Sequence, residues 1–273
     1  MKLDNGWVTF ASAGQAFPGY FARPVGATAG GPAVVIIHEA FGVDGYIEDV
    51  VNRFATAGYE TLAPDLLSPG GARPEELTRP RIEAASAFLN VNPAGWSNPA
   101  ARQEALARLP EKERASIAAT LGKLFTPDDQ RAARLARYTE VLAAAVAHLR
   151  GSAPDRKVAA VGFCMGGALS GLLAAAEPTL NAAVIFYGTV PPAEKLSAIK
   201  CPLLGHYAEP DPRITPHVPG FAEAMKAQGT PFEFHVYPGA RHAFFNDTAG
   251  AFNLDASRAA FARTLSFLLQ QLT

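Results

Sequence analysis

The chain has 273 residues, of which 49% are hydrophobic and 18% are charged, and its formal net charge is −1. This composition supplies an apolar core large enough for a single α/β domain, a class that often reaches such a length as one unit. It excludes the clustered basic surface of a nucleic-acid-binding protein, and no apolar run approaches the ~20 residues of a membrane span, so we expect neither nucleic acid nor a membrane as a partner.

Apolar runs of strand length alternate along the chain with amphipathic segments of helical length. The predicted strands cover 7–10, 17–22, 33–38, 61–66, 158–161, 182–187, 202–207 and 232–237, and the predicted helices cover 47–57, 128–150, 168–176, 221–228 and 255–272. The run at 33–38 is apolar almost throughout, which indicates a strand buried on both faces of a parallel sheet. The alternation predicts an α/β fold with a mostly parallel, doubly wound sheet flanked by helices.

Between 67 and 127 the pattern changes to short helical runs, such as 82–89 and 111–124, separated by prolines and glycines. We interpret this stretch as a helical insertion that follows an early strand of one domain spanning 1–273. Two interpretations of the insertion stay open. It is either an extended crossover connection that packs on the sheet or a cap over the active site. The second interpretation is considered because long insertions of this kind often serve as lids.

The cysteine content indicates the redox setting. Cys164 and Cys201 form no disulfide framework, and the N-terminal residues carry no apolar core of a secretory signal. We therefore expect a reducing, cytoplasmic setting, which also protects a reactive thiol. Cys201 lies directly before Pro202, at the start of a predicted strand, and is expected to be a small residue packed in the core.

The segment Gly162-Phe163-Cys164-Met165-Gly166-Gly167 follows a short strand and precedes a helix. A nucleophile on such a sharp turn has an unfavourable backbone conformation, and its neighbours two positions away must lack side chains. The turn projects the sulfur of Cys164 away from the sheet and places the N–H of Met165 at a helix N-terminus, where it can stabilise an oxyanion. The alternative is that Cys164 is a small buried residue in a glycine turn.

Four polar residues lie just after predicted strands, where ligands of such sheets bind, namely Glu39, Cys164, Asp211 and His242. A thiol attacks carbonyls as the thiolate and needs a base, usually a histidine oriented by a carboxylate. We favour His242, in the loop after the last strand, as the base, with His38 as a minor candidate. We favour Asp211 as the acid, with Glu209 as its rival.

Glu39 ends the first buried strand, beside the expected oxyanion site. Its carboxylate either accepts a hydrogen bond from the thiol of Cys164 or modulates the ionisation of that thiol. The alternative is a solvated loop acid, or an acid paired with a nearby arginine such as Arg53.

These residues together resemble the dienelactone hydrolase family of α/β-hydrolases. The segment His38-Glu39-Ala40-Phe41-Gly42 is similar to the family's H-E-x-F-G segment, and the stretch from Gly162 to Gly167 is similar to its G-[FY]-C-x-G-G elbow. Asp211 and His242 fall where the family's acid and histidine fall. The resemblance covers most of the chain except roughly 67–127.

The resemblance implies the α/β-hydrolase fold and a Cys-His-Asp triad of Cys164, His242 and Asp211, with Glu39 holding or activating the thiol when substrate binds. It also implies an oxyanion hole from the backbone N–H groups of Ala40 and Met165. The implied reaction is acylation of the cysteine by an enol ester or lactone, then hydrolysis of the thioester, with no metal or cofactor. The expected partner is a small-molecule ester or lactone, and the expected assembly is a monomer or a homodimer.

One position departs from the family. Members that act on dienelactone bind its carboxylate with arginines, one of them four residues after the histidine, where this chain has Asn246. The departure removes a bidentate carboxylate partner. The second arginine would come from the region of the insertion, where three candidates stay open: Arg81, Arg114 and, just after it, Arg131. Candidate substrate-binding residues are Phe41, Asn246 and Trp96, although Trp96 and Phe125 can equally anchor the cap.

The sequence therefore predicts a cysteine-dependent hydrolase of esters or lactones, for example in the breakdown of aromatic compounds. One alternative is a promiscuous carboxylesterase that acts on neutral esters and admits larger acyl chains under its cap. Another alternative, of a different class, is a non-catalytic ligand-binding protein on the same fold, because a fold does not fix a function.

Overall fold

The structure is a computed structural model that describes residues 1–27, 30–96, 98–125, 128–151 and 153–273. The end of the predicted insertion, at 126–127, lies outside the described residues. No helix in the described part of the chain is both long enough and apolar enough to cross a membrane.

The centre of the molecule is one eight-stranded sheet. In chain order its strands are β1 (Leu3–Ser12), β2 (Gln15–Pro24), β3 (Ala33–Ile37), β4 (Glu60–Pro64), β5 (Val158–Phe163), β6 (Ala182–Phe186), β7 (Leu203–Ala208) and β8 (Phe232–Tyr237). Their order across the sheet is β1-β2-β4-β3-β5-β6-β7-β8. The strands β1 and β2 form an antiparallel hairpin, β2 pairs antiparallel with β4, and all other pairings are parallel. The prediction of a mostly parallel sheet is confirmed.

Helices cover both faces of this sheet. The described helices are α1 (Gly45–Thr56), α2 (Arg79–Val91), α3 (Pro99–Ala107), α4 (Glu111–Leu124), α5 (Asp128–Arg150), α6 (Met165–Ala176), α7 (Val218–Ala227) and α8 (Leu254–Leu272). One buried cluster joins the sheet to α1 and α8, and a second joins the other face to α5, α6 and α7. The central strands β3, β5, β6 and β7 are buried along their whole length, which explains their continuous apolar sequences.

The segment between β4 and α5 contains α2, α3 and α4, which share a small apolar cluster of their own. That cluster includes Phe88, Leu106 and Leu121. The sequence pattern indicated α2 and α4 but did not separate α3 from the surrounding proline-rich stretch. Whether the segment closes over the site as a cap stays a prediction.

The helix α6 begins at Met165, three residues before its predicted start. Gly166 and Gly167 are poor helix formers, so the propensity signal begins only at Ala168. The fold requires both glycines in that first turn. A Cβ atom on Gly166 would lie 2.2 Å from the backbone oxygen of Ile37, and one on Gly167 would lie 2.6 Å from that of Phe186. The close packing of α6 onto the strand ends therefore requires glycine at both positions.

Candidate active site

Cys164 lies on the turn between β5 and α6 with φ 54° and ψ −113°. This is a left-handed conformation that a side chain rarely adopts, and it aims the sulfur away from the sheet. The turn also brings Gly162 so close to the helix that a Cβ atom there would lie 1.9 Å from the oxygen of Gly166. The glycine spacing read in the sequence is therefore a steric requirement of this turn.

Three polar side chains from different loops meet at the carboxyl edge of the sheet. The Nε2 atom of His242 lies 3.2 Å from Sγ of Cys164, and its Nδ1 atom lies 2.6 Å from Oδ2 of Asp211. Asp211 is buried, whereas Cys164 and His242 are half-buried and reachable by a small molecule. These distances meet the geometric requirement for a thiol nucleophile, a histidine base and a carboxylate that orients the base.

The charges around His242 favour its protonated form. Burial alone lowers the pKa of the imidazole, but the adjacent sulfur of Cys164 and the carboxylate of Asp211 outweigh burial and raise that pKa to about 10. Burial raises the pKa of Asp211, yet its hydrogen bond to His242, the charge of His242 and the nearby Arg213 lower it overall. The protonated ring of His242 therefore lies in contact with the sulfur of Cys164.

Glu39 is buried beside this trio, at 9% exposure, and both its carboxyl oxygens accept hydrogen bonds. The hydroxyl of Tyr187 donates to Oε1 at 3.2 Å, and Nδ2 of Asn246 donates to Oε2 at 2.9 Å. The backbone N–H and the hydroxyl of Thr248 donate to Oδ1 of Asn246, which fixes the orientation of the amide. Burial raises the pKa of Glu39, against the hydrogen bond from Asn246 and the charge of His242.

The structure gives Glu39 different partners from those expected. Its carboxyl group forms no hydrogen bond with Cys164 among the described contacts, and it is not a solvated loop acid. Arg53 pairs instead with Asp49 and with Asp247. Tyr187, which donates to Glu39, also packs against His242, with ring centroids 5.1 Å apart.

The loop after β3, which carries Ala40, is held by a second buried network. Nδ1 of His38 lies 2.5 Å from the backbone oxygen of Glu39, and Nε2 accepts the N–H of Leu66. Asp65 pairs with Arg73 at 2.7 Å, and Arg73 also donates to the backbone oxygen of Val43. Burial lowers the pKa of His38, and backbone groups of Glu39 and Leu66 engage both its ring nitrogens, so its neutral ring anchors this loop.

The remaining candidates are a rival acid, two aromatic residues and three arginines. Glu209 is exposed and accepts the N–H of Gly239, so it does not orient the base. Phe41 and Trp96 lie in edge contact, with ring centroids 5.5 Å apart. Of the arginines considered for a substrate carboxylate, Arg81 pairs with Glu75, and the other two, Arg114 and Arg131, are exposed on helices.

Sequence reasoning missed Tyr187 and Thr248. Tyr187 directly follows β6 and has φ 39°, a strained value for a tyrosine. Its place after a buried strand is the same signal that identified Glu39 and Cys164, but its aromatic character led to its interpretation as part of the strand. In the described part of the chain, no group of three or more His, Cys, Asp and Glu side chains is arranged to hold a metal ion.

Comparison with known proteins gives matches along nearly the whole chain. The model of the family described as "Dienelactone hydrolase family" matches residues 17–272. A protein of Saccharolobus solfataricus named "Putative carboxymethylenebutenolidase" is 32% identical over 239 residues, which cover 86% of this chain and 88% of that protein. A protein of Yersinia pestis with the same name is 28% identical over 279 residues, which cover 98% of this chain and 89% of that protein. The crystal structure described as "Putative Dienelactone Hydrolase" from Klebsiella pneumoniae superposes with a TM-score of 0.67 at 26% identity and covers 99% of this chain and 100% of its own.

Proposed function

The chain belongs to the dienelactone hydrolase family and is a carboxylic ester hydrolase, and we propose that it cleaves ester or lactone bonds through a thioester on Cys164. The observation that carries this proposal is the continuous contact from the sulfur of Cys164 through His242 to Asp211. The position of all three groups at the carboxyl edge of one sheet supports the proposal, because ligands of such sheets bind there.

In the acylation step the thiolate of Cys164 attacks the carbonyl carbon and a C–S bond forms. The carbonyl oxygen becomes an oxyanion, which the backbone N–H groups of Ala40 and Met165 stabilise; the second of these begins α6, where the helix dipole also favours negative charge. The C–O bond then breaks, and Nε2 of the His242 imidazolium gives its proton to the leaving alkoxide. In a lactone this alkoxide stays attached to the acyl group.

In the deacylation step His242, now neutral, takes a proton from water at Nε2. The resulting hydroxide attacks the thioester carbon, the C–S bond breaks and the carboxylic acid leaves. The proton returns the pair of Cys164 and His242 to its starting state. Asp211 stays ionised and stabilises the imidazolium at both steps, since the contact with His242 lowers its pKa.

Glu39 acts in this proposal as a positioning residue. Its buried carboxyl group interacts with the charge of His242 and holds Tyr187 and Asn246 in place around the site. Because two neutral donors already occupy it, the carboxyl group needs no substrate cation or arginine to satisfy its hydrogen bonds.

The proposal is tested by replacing each of the two cysteines in turn. We expect Cys164→Ala to lower kcat/KM for p-nitrophenyl acetate by at least about a thousandfold, as loss of a nucleophile does in other enzymes. Cys201→Ala is the matched control, because burial raises the pKa of that thiol to about 11 and it lies away from the site. Acid quenching during turnover, followed by peptide mass spectrometry, should find an acetyl group on Cys164 of the wild type.

Retained activity in Cys164→Ala would refute the thioester mechanism while leaving the hydrolase family intact. Absence of any ester turnover, together with failure of a thiol-directed acylating probe to label Cys164, would favour the non-catalytic ligand-binding alternative.

The contact between Asn246 and Glu39 favours a second candidate, a carboxylesterase that prefers neutral esters. The position of Asn246 carries no guanidinium, and its amide is engaged by Glu39 and Thr248. A substrate carboxylate would therefore meet a buried carboxyl group without a bidentate cationic partner there. Comparison of kcat/KM for p-nitrophenyl acetate and a carboxylated dienelactone decides this point, and preference for the lactone would mean that an arginine elsewhere binds the carboxylate.

A further inference from the structure

His38 is a buried histidine that takes no part in the proton transfers proposed above. It directly follows β3 and is 0% exposed. Its Nε2 atom accepts the backbone N–H of Leu66 at 3.1 Å, and its Nδ1 atom lies 2.5 Å from the backbone oxygen of Glu39. Backbone groups of two different loops therefore engage both nitrogens of one ring.

These two contacts determine which ring nitrogen carries the proton. A backbone N–H can only donate, so Nε2 must offer its lone pair to Leu66. The ring is neutral because burial lowers the pKa of His38, and a neutral imidazole has a single N–H. That N–H is therefore on Nδ1, and it donates to the oxygen of Glu39.

The oxygen of Glu39 belongs to the same peptide group as the N–H of Ala40. Because a trans peptide group is planar, its C=O and N–H point in opposite directions, and a bond that holds the oxygen also sets the direction of the N–H. A hydrogen bond to the oxygen polarises the group as well, which makes the N–H a stronger donor. Among the described residues no backbone oxygen accepts that N–H, so it stays available to a substrate.

The loop that carries this peptide group packs against the first turn of α6. A Cβ atom on Gly166 would lie 2.2 Å from the backbone oxygen of Ile37 and 2.6 Å from that of His38. Met165, the neighbour of Gly166, supplies the other N–H of the proposed oxyanion hole. The two donors thus come from segments in direct contact, and a rotation of the peptide group would change the angle between them.

We propose that His38 is a positioning residue: it orients and polarises the Glu39–Ala40 peptide group, whose N–H then stabilises the oxyanion formed during attack. The inference deepens the proposed function and rests on it, because this oxyanion arises only when the thiolate attacks a carbonyl. His38 acts through the peptide group and exchanges no proton with substrate. Its role therefore differs from that of the base, His242.

Two substitutions separate the two contacts of the ring. In His38→Asn the amide nitrogen can take the place of Nδ1 and donate to Glu39, while the contact with Leu66 is lost. In His38→Gln the amide oxygen can take the place of Nε2 and accept the N–H of Leu66, while the donor to Glu39 is lost. We expect His38→Gln to lower kcat for p-nitrophenyl acetate by about 10- to 100-fold, less than loss of a whole oxyanion donor would, and His38→Asn to keep a kcat close to that of the wild type. Equal kcat values in the two variants would overturn the proposal.

Alkylation of Cys164 by iodoacetamide shows whether the loss of kcat is specific to the oxyanion. In this reaction the thiolate displaces iodide from a saturated carbon, so no oxyanion forms and only the reactivity of the thiolate matters. Peptide mass spectrometry gives the rate constant, which we expect to be the same in the wild type, His38→Gln and His38→Asn. A rate constant that falls in step with kcat would overturn the proposal, since it would mean that His38 acts on the thiol or on the site as a whole.

The tautomer of His38 is measured in the wild-type protein, so this part of the test does not depend on the folding of a variant. The ¹⁵N chemical shifts of the ring at neutral pH should show a proton on Nδ1 and none on Nε2. A proton on Nε2 would overturn the proposal.

The matched control is His206→Gln. His206 is equally buried, at 0% exposure, and lies on β7, which β5 and β6 separate from β3. This substitution should lower thermal stability and leave kcat close to the wild-type value, and a fall in kcat as large as that of His38→Gln would overturn the proposal. Ester turnover in the wild type that does not depend on Cys164 would instead refute the proposed function, while the ring tautomer of His38 would be unaffected.

Discussion

Asn246 donates a hydrogen bond from Nδ2 to Oε2 of Glu39 at 2.9 Å, across 207 residues of chain. The contact joins the loop after the last strand, which carries His242, to the loop after β3, which carries Ala40. Both side chains are buried, and Thr248 occupies the other end of the amide. A buried hydrogen bond therefore links two of the loops that build the site.

We expect Asn246→Ala to lower the free energy of unfolding by about 1–3 kcal/mol, because Glu39 loses a donor while it stays buried. Urea denaturation at neutral pH measures the change. The control is Asn5→Ala, which removes an exposed amide contact of the same 2.9 Å length, to Asn52, and should change stability by less than about 0.5 kcal/mol. Equal effects of the two substitutions would mean that Glu39 does not depend on Asn246.

The protonation of His242 should follow its contact with Asp211. The sulfur of Cys164 and the carboxylate of Asp211 raise the pKa of His242 to about 10, so Asp211→Asn, which removes one of these negative charges, should lower that pKa. Titration of ¹⁵N-labelled histidine rings by NMR measures this directly. The ring of His217, exposed on another loop, serves as the reference within the same spectra. A His242 pKa that is the same in both proteins would contradict the orienting role of Asp211.

The stability of the protein should fall in acid because of a second buried histidine, His206. Its Nε2 contacts the hydroxyl of Thr264 and its Nδ1 contacts that of Tyr237, both at 3.0 Å. Burial lowers the pKa of His206 well below its value of 6.5 in an exposed site, so below about pH 6.5 the unfolded chain binds a proton that the folded protein does not. The free energy of unfolding therefore decreases as the pH falls from about 6.5.

The variant His206→Asn should flatten this pH dependence, because asparagine does not titrate, although it also costs stability at pH 8 through lost contacts with Thr264 and Tyr237. Urea midpoints between about pH 5 and pH 8 give the slope. His217→Asn, at an exposed position, should leave the slope as in the wild type. His38 is also buried with a lowered pKa, so some slope should persist in His206→Asn.

The nucleophile turn should not tolerate a methyl group at Gly166. A Cβ atom there would lie 2.2 Å from the oxygen of Ile37 and 2.6 Å from that of His38, both backbone atoms that cannot move independently. We expect Gly166→Ala to cost at least about 2 kcal/mol and to reduce esterase activity. Gly220→Ala is the control, because α7 has open space at that position and alanine is the better helix former. Circular dichroism melting of both variants provides the comparison, and a wild-type melting temperature in Gly166→Ala would show that the packing is looser than described.

Local patterns in the sequence were sufficient for the sheet and for the nucleophile turn. Strand β3 is recognisable because a parallel strand buried on both faces needs apolar residues at every position. The turn at Cys164 is recognisable because its glycines avoid steric clashes with residues only a few positions away, such as the clash of a side chain at Gly162 with Gly166. Both features show in the residue types of a short stretch of chain, so a local sequence pattern is enough to predict them.

Only the tertiary structure decided which side chains meet. Asp211 and Glu209 both follow β7. The path of the loop, and not its composition, brings Asp211 within hydrogen-bond distance of His242 and leaves Glu209 exposed. Glu39 was expected to bind the thiol of Cys164 or modulate its ionisation, or else to be solvated or paired with an arginine such as Arg53. Its described hydrogen bonds are with Tyr187 and Asn246, at separations of 148 and 207 residues. Contacts between the ends of different strands depend on loop paths and on burial, and these are properties of the packed molecule that no local pattern specifies.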